Sequence, residues 1–169
     1  EPLASAHIPA AEAALENRLE DPVRAVRVNA AWSMREELDY SSLAARELDH
    51  FLHVNSDQPG GQLQLGTWML AKNNPTAALK HFQKAVSWDP NSAPLLHELA
   101  VLYSMLKRPA DAVRSLQEAV RQQPDHAEFH YKLALGWNEL NDLPKTIQAL
   151  EDAVRVNPQH ARAWYNLGL

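Results

Sequence analysis

The amino-acid sequence predicts an all-α fold, an α-solenoid in which helical hairpins stack side by side into a superhelix. Three observations carry that reading. Pro90, Pro124 and Pro158 recur at a step of 34 residues. Whole columns keep the same step: Ala85, Ala119 and Ala153; Val86, Val120 and Val154; Leu65, Leu99, Leu133 and Leu167. Within a unit the apolar positions fall at helical spacing, such as Leu65, Gly66 and Met69, so each helix has one buried face.

Composition agrees. Of 169 residues, 46% are hydrophobic and 22% charged, with only 5 Gly, so the chain is neither disordered nor collagenous. The net charge of −5 comes from interspersed acids and bases, which argues against nucleic acid as a partner. No apolar run is long enough for a membrane span. Without Cys, this segment has no disulfide, thiolate metal site, c-type haem attachment or Cys nucleophile. The first residue is Glu1, and "EPLASAHIPA" has no targeting pattern, so the chain reads as a piece of something longer.

From the N-terminus, Ala10–Glu20 predicts a first helix, and Asp21–Pro22 signals the start of a second. Val23, Val26, Ala30 and Met34 give that second helix an apolar stripe. Over 41–58 a degenerate capping helix is expected. Ser41 or Ser42 caps it, and Leu43, Leu48, Phe51 and Leu52 supply its apolar face. Phe51 stands where later units have Ala, which predicts looser or differently angled packing there. The array proper spans 59–169, as repeats 59–92, 93–126 and 127–160 and a truncated fourth, 161–169.

Each unit begins with a helix whose small residue (Gly66, Ala100, Ala134, Gly168) admits a second backbone at close range. "AKNNP", "LKRP" and "LNDLP" are polar turns whose Pro75, Pro109 and Pro144 suit a first helical turn. A second helix follows, with Ala78, Phe82 and Ala85 at its contacts in the first unit. The Pro at 90, 124 or 158 ends it. "PGG" at 59–61 reads as a connector before a helix.

This register resembles the tetratricopeptide repeat over three full units. Gln62, Leu96 and His130 depart from the family's first aromatic, which Trp164 keeps. "DPVRAVRVNAAWSM" resembles the second helix of a HEAT-type repeat, so 1–40 is read as a HEAT-like segment. The two together resemble the C-terminal repeat region of bacterial multihaem cytochrome c proteins. That resemblance implies a haem domain with Cys-x-x-Cys-His motifs before Glu1, and a periplasmic setting if it holds. No cofactor is expected in this segment, and the residues by themselves do not indicate a compartment.

The chemistry inventory points away from an enzyme. His50 and His53, and His126 and His130, are pairs without a third ligand, and the simpler reading makes them turn and surface residues. No metal site is expected. Ser33, Ser87, Ser104 and Ser115 lack a nucleophile elbow, and Glu36, Glu37 and Asp39 read as a solvated charge run. No catalytic residue is assigned.

Stacked hairpins curve, and first helices line the concave side. The groove expected there comprises Leu63, Thr67, Leu70, His97, Val101, Ser104, Met105, Tyr131, Leu135, Asn138 and Glu139, with Arg162, Tyr165 and Asn166 from the fourth unit. Its mixture of apolar and hydrogen-bonding groups suits an extended peptide or an amphipathic helix. The resemblance implies a non-catalytic protein-interaction scaffold binding a protein or peptide. Family members that grip a C-terminal carboxylate use Lys and Asn at slots held here by Leu63, Thr67, His97, Val101, Tyr131 and Leu135, so that clamp is not expected. Three alternatives stay open. Leu63, Leu70, Val101 and Leu135 could pack under a neighbouring element. The segment could be an accessory module positioning a haem domain. The array ends could mediate self-association.

Overall fold

A computed structural model describes residues 9–168 of the chain. The start of the HEAT-like segment at residues 1–8, and Leu169, lie outside the described residues. Within them are ten α-helices and no strand. They are α1 (Pro9–Arg18), α2 (Arg24–Ser33), α3 (Leu43–Val54), α4 (Pro59–Ala71), α5 (Pro75–Trp88), α6 (Ala93–Met105), α7 (Pro109–Gln122), α8 (Ala127–Glu139), α9 (Leu143–Val156) and α10 (Ala161–Gly168). The helices α4–α5, α6–α7 and α8–α9 form hairpins, and α5, α7 and α9 each pack on the first helix of the next unit.

The turn inside each hairpin explains its tight reversal. Asn73, Lys107 and Asn141, one per unit at the 34-residue step, adopt φ of 54°, 57° and 59°. Each sits just past a helix end in the left-handed conformation that satisfies orphan carbonyls. The following amides close the cap: Asn74 N donates to Met69 O, Arg108 N to Tyr103 O and Asp142 N to Trp137 O, at 2.8–3.0 Å. Pro75, Pro109 and Pro144 then open the second helices, and the Asn74 and Asp142 side chains accept from Ala77 N and Lys145 N as caps.

The main core runs through the array. Ala78, Phe82, Leu99, Ala100, Ala112, Leu116, Leu133, Ala134, Leu150 and Ala153 are buried in one cluster spanning α5 to α9, which Ala163 of α10 joins. Burying each Leu or Phe stabilises the fold by roughly 1.5–3 kcal/mol. The equivalent Leu65, Leu99 and Leu133 all lie at 9% exposure or less, as the register requires. Gly66 lets α5 approach: a Cβ there would lie 2.5 Å from the Phe82 ring.

A second core joins α2, α3 and α4, with Val28, Ala31, Ala44, Leu48, Leu52 and Trp68 buried and Met69 touching both cores. The segments expected over 1–40 and 41–58 therefore share one hydrophobic centre: α2 pairs with α3 as a hairpin, and α3 in turn meets α4. Arg27 ties them, donating to the Glu47 carboxylate at 2.7 and 2.8 Å and to the Asp21 carbonyl at 2.6 Å. Asp49 accepts from the Trp68 indole at 2.8 Å across the α3–α4 joint.

Local expectations need correction in three helices. Helix α2 starts at Arg24, with Asp21 Oδ1 accepting from Val23 N before it, and Val23 is 55% exposed. Of the expected stripe only Ala30 is fully buried; it is joined by Val28 and Ala31, which enter the core shared with α3. On α3, Leu43 and Phe51 point to solvent while Leu48 and Leu52 are buried; a Phe does not fit the close contact that Ala makes later. The cap of α3 is Ser42, one of the two expected residues, which accepts from Ala45 N. Finally, Pro59–Gly61 is the first turn of α4 rather than a connector, and Gly61 presses against the Asn55 carbonyl.

Candidate functional site: the concave face of the array

The first helices α6, α8 and α10 present ten of the expected groove residues in three adjoining clefts. Between α6 and α8, Val101, Ser104, Met105, Leu135 and Glu139 line a cleft of about 180 Å³, floored by Ala100 and Leu116 and edged by Lys132. Next to it, Leu135 and Asn138 of α8 face Leu143, Thr146, Ile147 and Leu150 of α9 and Asn166 and Leu167 of α10 across about 580 Å³. At the open side of α10, Tyr131, Arg162, Tyr165 and Asn166 border a third, shallower cleft of about 420 Å³.

The first unit contributes little to this surface. Leu63 and Leu70 are half-buried against the main core, and the Thr67 hydroxyl donates to the Leu63 carbonyl of its own helix at 3.0 Å. They line none of the three clefts. His97 of α6 lines none of them either: its ring is tilted over Phe129 at 5.4 Å, with Nδ1 3.5 Å from Glu98 Oε1. That contact with His97 holds the Glu98 carboxyl below its ordinary pKa against the opposing effect of burial. The Nε2 of His97 is buried with no partner among the described residues.

Tyr131 borders the third cleft but is largely covered. It is only 7% exposed, because the fourth unit covers it. The His160 ring lies 4.9 Å away, the Arg162 guanidinium stacks over it at 5.0 Å, and Asn166 Nδ2 donates to its hydroxyl at 3.5 Å. Tyr165, one repeat further on, is the exposed tyrosine of the face, at 68%. Met105, at 62%, is the exposed large apolar side chain of α6.

Glu128 is a residue the sequence reading missed in this role. Its carboxylate accepts from His160 Nε2 at 3.1 Å and from Arg162 at 3.1 and 3.2 Å, with Lys132 Nζ at 3.7 Å. Glu128 and Arg162 occupy the same position of consecutive repeats, so opposite charges at the 34-residue step were the available signal. His160 also accepts from Ala163 N through Nδ1 at 3.2 Å, so it carries its proton on Nε2 while capping α10. His126, one repeat earlier, stacks on Phe129 at 4.0 Å. Among the described residues no three His, Asp or Glu side chains converge on a common point that would hold a metal ion.

Two tetratricopeptide-repeat family models match the chain, one over residues 69–135 and one over residues 139–169. No curated protein matches it. Among solved structures it is similar to MamA, at 25% identity and a TM-score of 0.67, over 80% of this chain and 79% of that one. It is also similar to YrrB, described as a TPR protein with an unusual peptide-binding site, at 20% identity and a TM-score of 0.70, over 95% and 84% of the two chains. The first TPR of Spaghetti (RPAP3), bound to the HSP90 peptide SRMEEVD, matches at 20% identity and a TM-score of 0.60, over 68% and 91%.

Proposed function

We propose that this chain, which belongs to the tetratricopeptide-repeat family, is a non-catalytic scaffold that binds a peptide or partner segment along its concave face. One observation carries the reading: side chains from consecutive first helices, Val101, Ser104 and Met105 with Leu135 and Glu139, line one cleft. Groups that far apart in the chain form a shared surface only because the hairpins stack. Such a groove gives apolar burial with a few polar contacts to set orientation.

The likeness to folds whose descriptions include a bound peptide or a peptide-binding site supports the same use of this face. The ligand is not an acidic C-terminal tail. Leu63, Thr67, His97, Val101, Tyr131 and Leu135 occupy the positions where a carboxylate clamp would need Lys and Asn. The segment works without a cofactor of its own, by recognition alone.

The test is a peptide-display selection on the full chain, with recovered ligands re-measured against variants. Met105→Ala and Tyr165→Ala alter exposed concave positions, and Arg114→Ala and Gln117→Ala alter exposed positions on α7. Ligands released by the first pair and retained by the second support the groove. Ligands that ignore the concave variants and depend on α7 refute it.

A further inference from the structure

We infer that the cleft between α6 and α8 seats one aliphatic side chain of an extended peptide segment, and that Glu139 selects a Lys or Arg beside that anchor. This names the ligand chemistry of the groove reading above and rests on it.

The seat lies inside the array. Its walls are Val101 and Met105 of α6 and Leu135 of α8, and its floor is Ala100 and Leu116, both buried. The second helices α7 and α9 back the two walls, so the cleft runs between two complete hairpins. Its volume of about 180 Å³ falls below the roughly 300 Å³ at which pockets for whole small molecules begin, which is the scale of a single side chain. The floor and walls offer no side-chain hydrogen bond, so a polar anchor would lose its water there without a replacement. An aliphatic one gains burial.

The edge of the seat is polar, and two of its groups are unspent. The Ser104 hydroxyl is half-buried and makes no hydrogen bond among the described residues. Thr67, on the first helix of the preceding unit, instead turns its hydroxyl back on the Leu63 carbonyl. A free hydroxyl donates and accepts, and the backbone of an extended segment has N–H and C=O groups that need such partners.

The second unspent group is Glu139, exposed at the end of α8 with no ion pair among the described residues. Lys132, the cation of the lining, is already engaged, its Nζ 3.7 Å from Glu128 Oε1. The charge left open at the cleft is therefore negative, in a chain of net charge −5. It attracts a cationic ligand and repels an acidic one. Side chains at i and i+2 of an extended segment point the same way, so the cation belongs two positions from the anchor.

The probe is the peptide Gly-Arg-Ser-Leu-Ser-Arg-Gly, acetylated and amidated, in which either chain direction presents an Arg to Glu139. It is titrated into the full chain while NMR follows the methyl resonances of Val101, Leu116 and Leu135. These methyls are expected to shift saturably. Replacing the Leu by Ser weakens binding on the order of tenfold. Replacing both Arg by Glu weakens it about three- to tenfold at low salt, and the difference shrinks in about 1 M salt. Glu139→Gln abolishes the preference for Arg and keeps that for Leu, whereas Met105→Ser, also at an exposed position, does the reverse. Ser104→Ala weakens every peptide alike.

The proposal is overturned if the three methyls show no saturable shift, if Leu and Ser peptides bind equally, or if the Arg preference survives Glu139→Gln. Tighter binding of a stapled helix with the same side chains would name a helical ligand and overturn it. Concentration-dependent shifts of the same methyls in the free chain would name a second copy, with the same consequence. If display ligands still depend on Met105 and Tyr165, the groove stands and only the basic, single-anchor ligand falls.

Discussion

His130 donates its Nε2–H to the carbonyl oxygen of Pro124, 2.7 Å away and six residues earlier. The same bond recurs with different chemistry along the array. Gln62 Nε2 donates to Ser56 O at 2.5 Å, and Trp164 Nε1 donates to Pro158 O at 3.0 Å. Ser56, Pro90, Pro124 and Pro158 form one column, and so do Gln62, Leu96, His130 and Trp164. What looks like a loosely kept aromatic position is a side-chain N–H that pins the turn between repeats. Leu96 alone lacks the donor, and it packs instead with Ala93, Ala119 and Phe129.

Replacing His130 by Leu is therefore expected to keep the fold and cost about 0.5–1.5 kcal/mol, the net worth of one hydrogen bond. His130→Trp should recover most of that loss by following the Trp164 geometry. Urea unfolding of the two variants beside the parent checks both, and equal stabilities of His130→Leu and the parent would show that the bond contributes nothing.

Lys107 holds the left-handed turn conformation that Asn73 and Asn141 hold in the flanking units. A non-glycine side chain there costs roughly 1–2 kcal/mol, and Asn suffers less because its short polar side chain suits that region. Lys107→Gly should raise stability by up to about 1 kcal/mol, and Lys107→Asn by less. Thermal denaturation followed by circular dichroism reads the order, Gly above Asn above Lys.

The α3–α4 joint is expected to weaken in acid. Burial pushes the Asp49 carboxyl up, but the Trp68 indole bond and the charges of His53 and Lys72 outweigh it and leave its pKa below the ordinary value. A carboxylate with a depressed folded pKa contributes stability above its unfolded pKa of about 3.9, and that contribution is lost as pH falls through the folded value. Asp49→Asn keeps an acceptor for Trp68 and removes the titration. Its stability should fall less steeply than the parent's below about pH 4, measured as urea midpoints across a pH series. Parallel curves would assign the acid loss elsewhere.

Most of the array was legible because its packing is periodic. Leu65, Leu99 and Leu133 are all buried, Leu65 in the α2–α4 core and the other two in the array core, so a column at one step predicts burial at the next. Legibility failed where a residue's environment comes from the following unit or from a departure from the repeat. Tyr131 reads as a groove residue from its helical position, yet Arg162 and His160 cover it from 29 or more residues downstream. Phe51 carries an apolar side chain at a contact sized for Ala, so spacing alone counted it inward when it turns out. Glu128 was overlooked because ion-pair partners across a stack are invisible to helical periodicity within one helix.

The glycines of α4 offer the sharpest contrast between a composition-based reading and the packing. "PGG" reads as a connector before a helix, and a connector outside the packing would tolerate Ala at either glycine. The surroundings say otherwise. A Cβ at Gly60 meets nothing within 4 Å, so Gly60→Ala should stabilise the helix by roughly 0.5–1 kcal/mol through the smaller entropy of the unfolded chain. A Cβ at Gly66 would lie 2.5 and 2.6 Å from two atoms of the Phe82 ring, which must move within a packed core, so Gly66→Ala should cost about 1–3 kcal/mol. At Gly61 the obstacle is backbone: the Cβ would sit 1.8 Å from the Asn55 carbonyl oxygen, and no rotamer relieves it. Gly61→Ala must therefore separate α4 from the end of α3, and it should be the most destabilising of the three. It should also expose the buried Trp68, shifting its fluorescence before the rest of the array unfolds. Unfolding curves for the three variants test the order. A Gly61→Ala protein as stable as Gly60→Ala would mean that the α3–α4 joint is not a fixed contact.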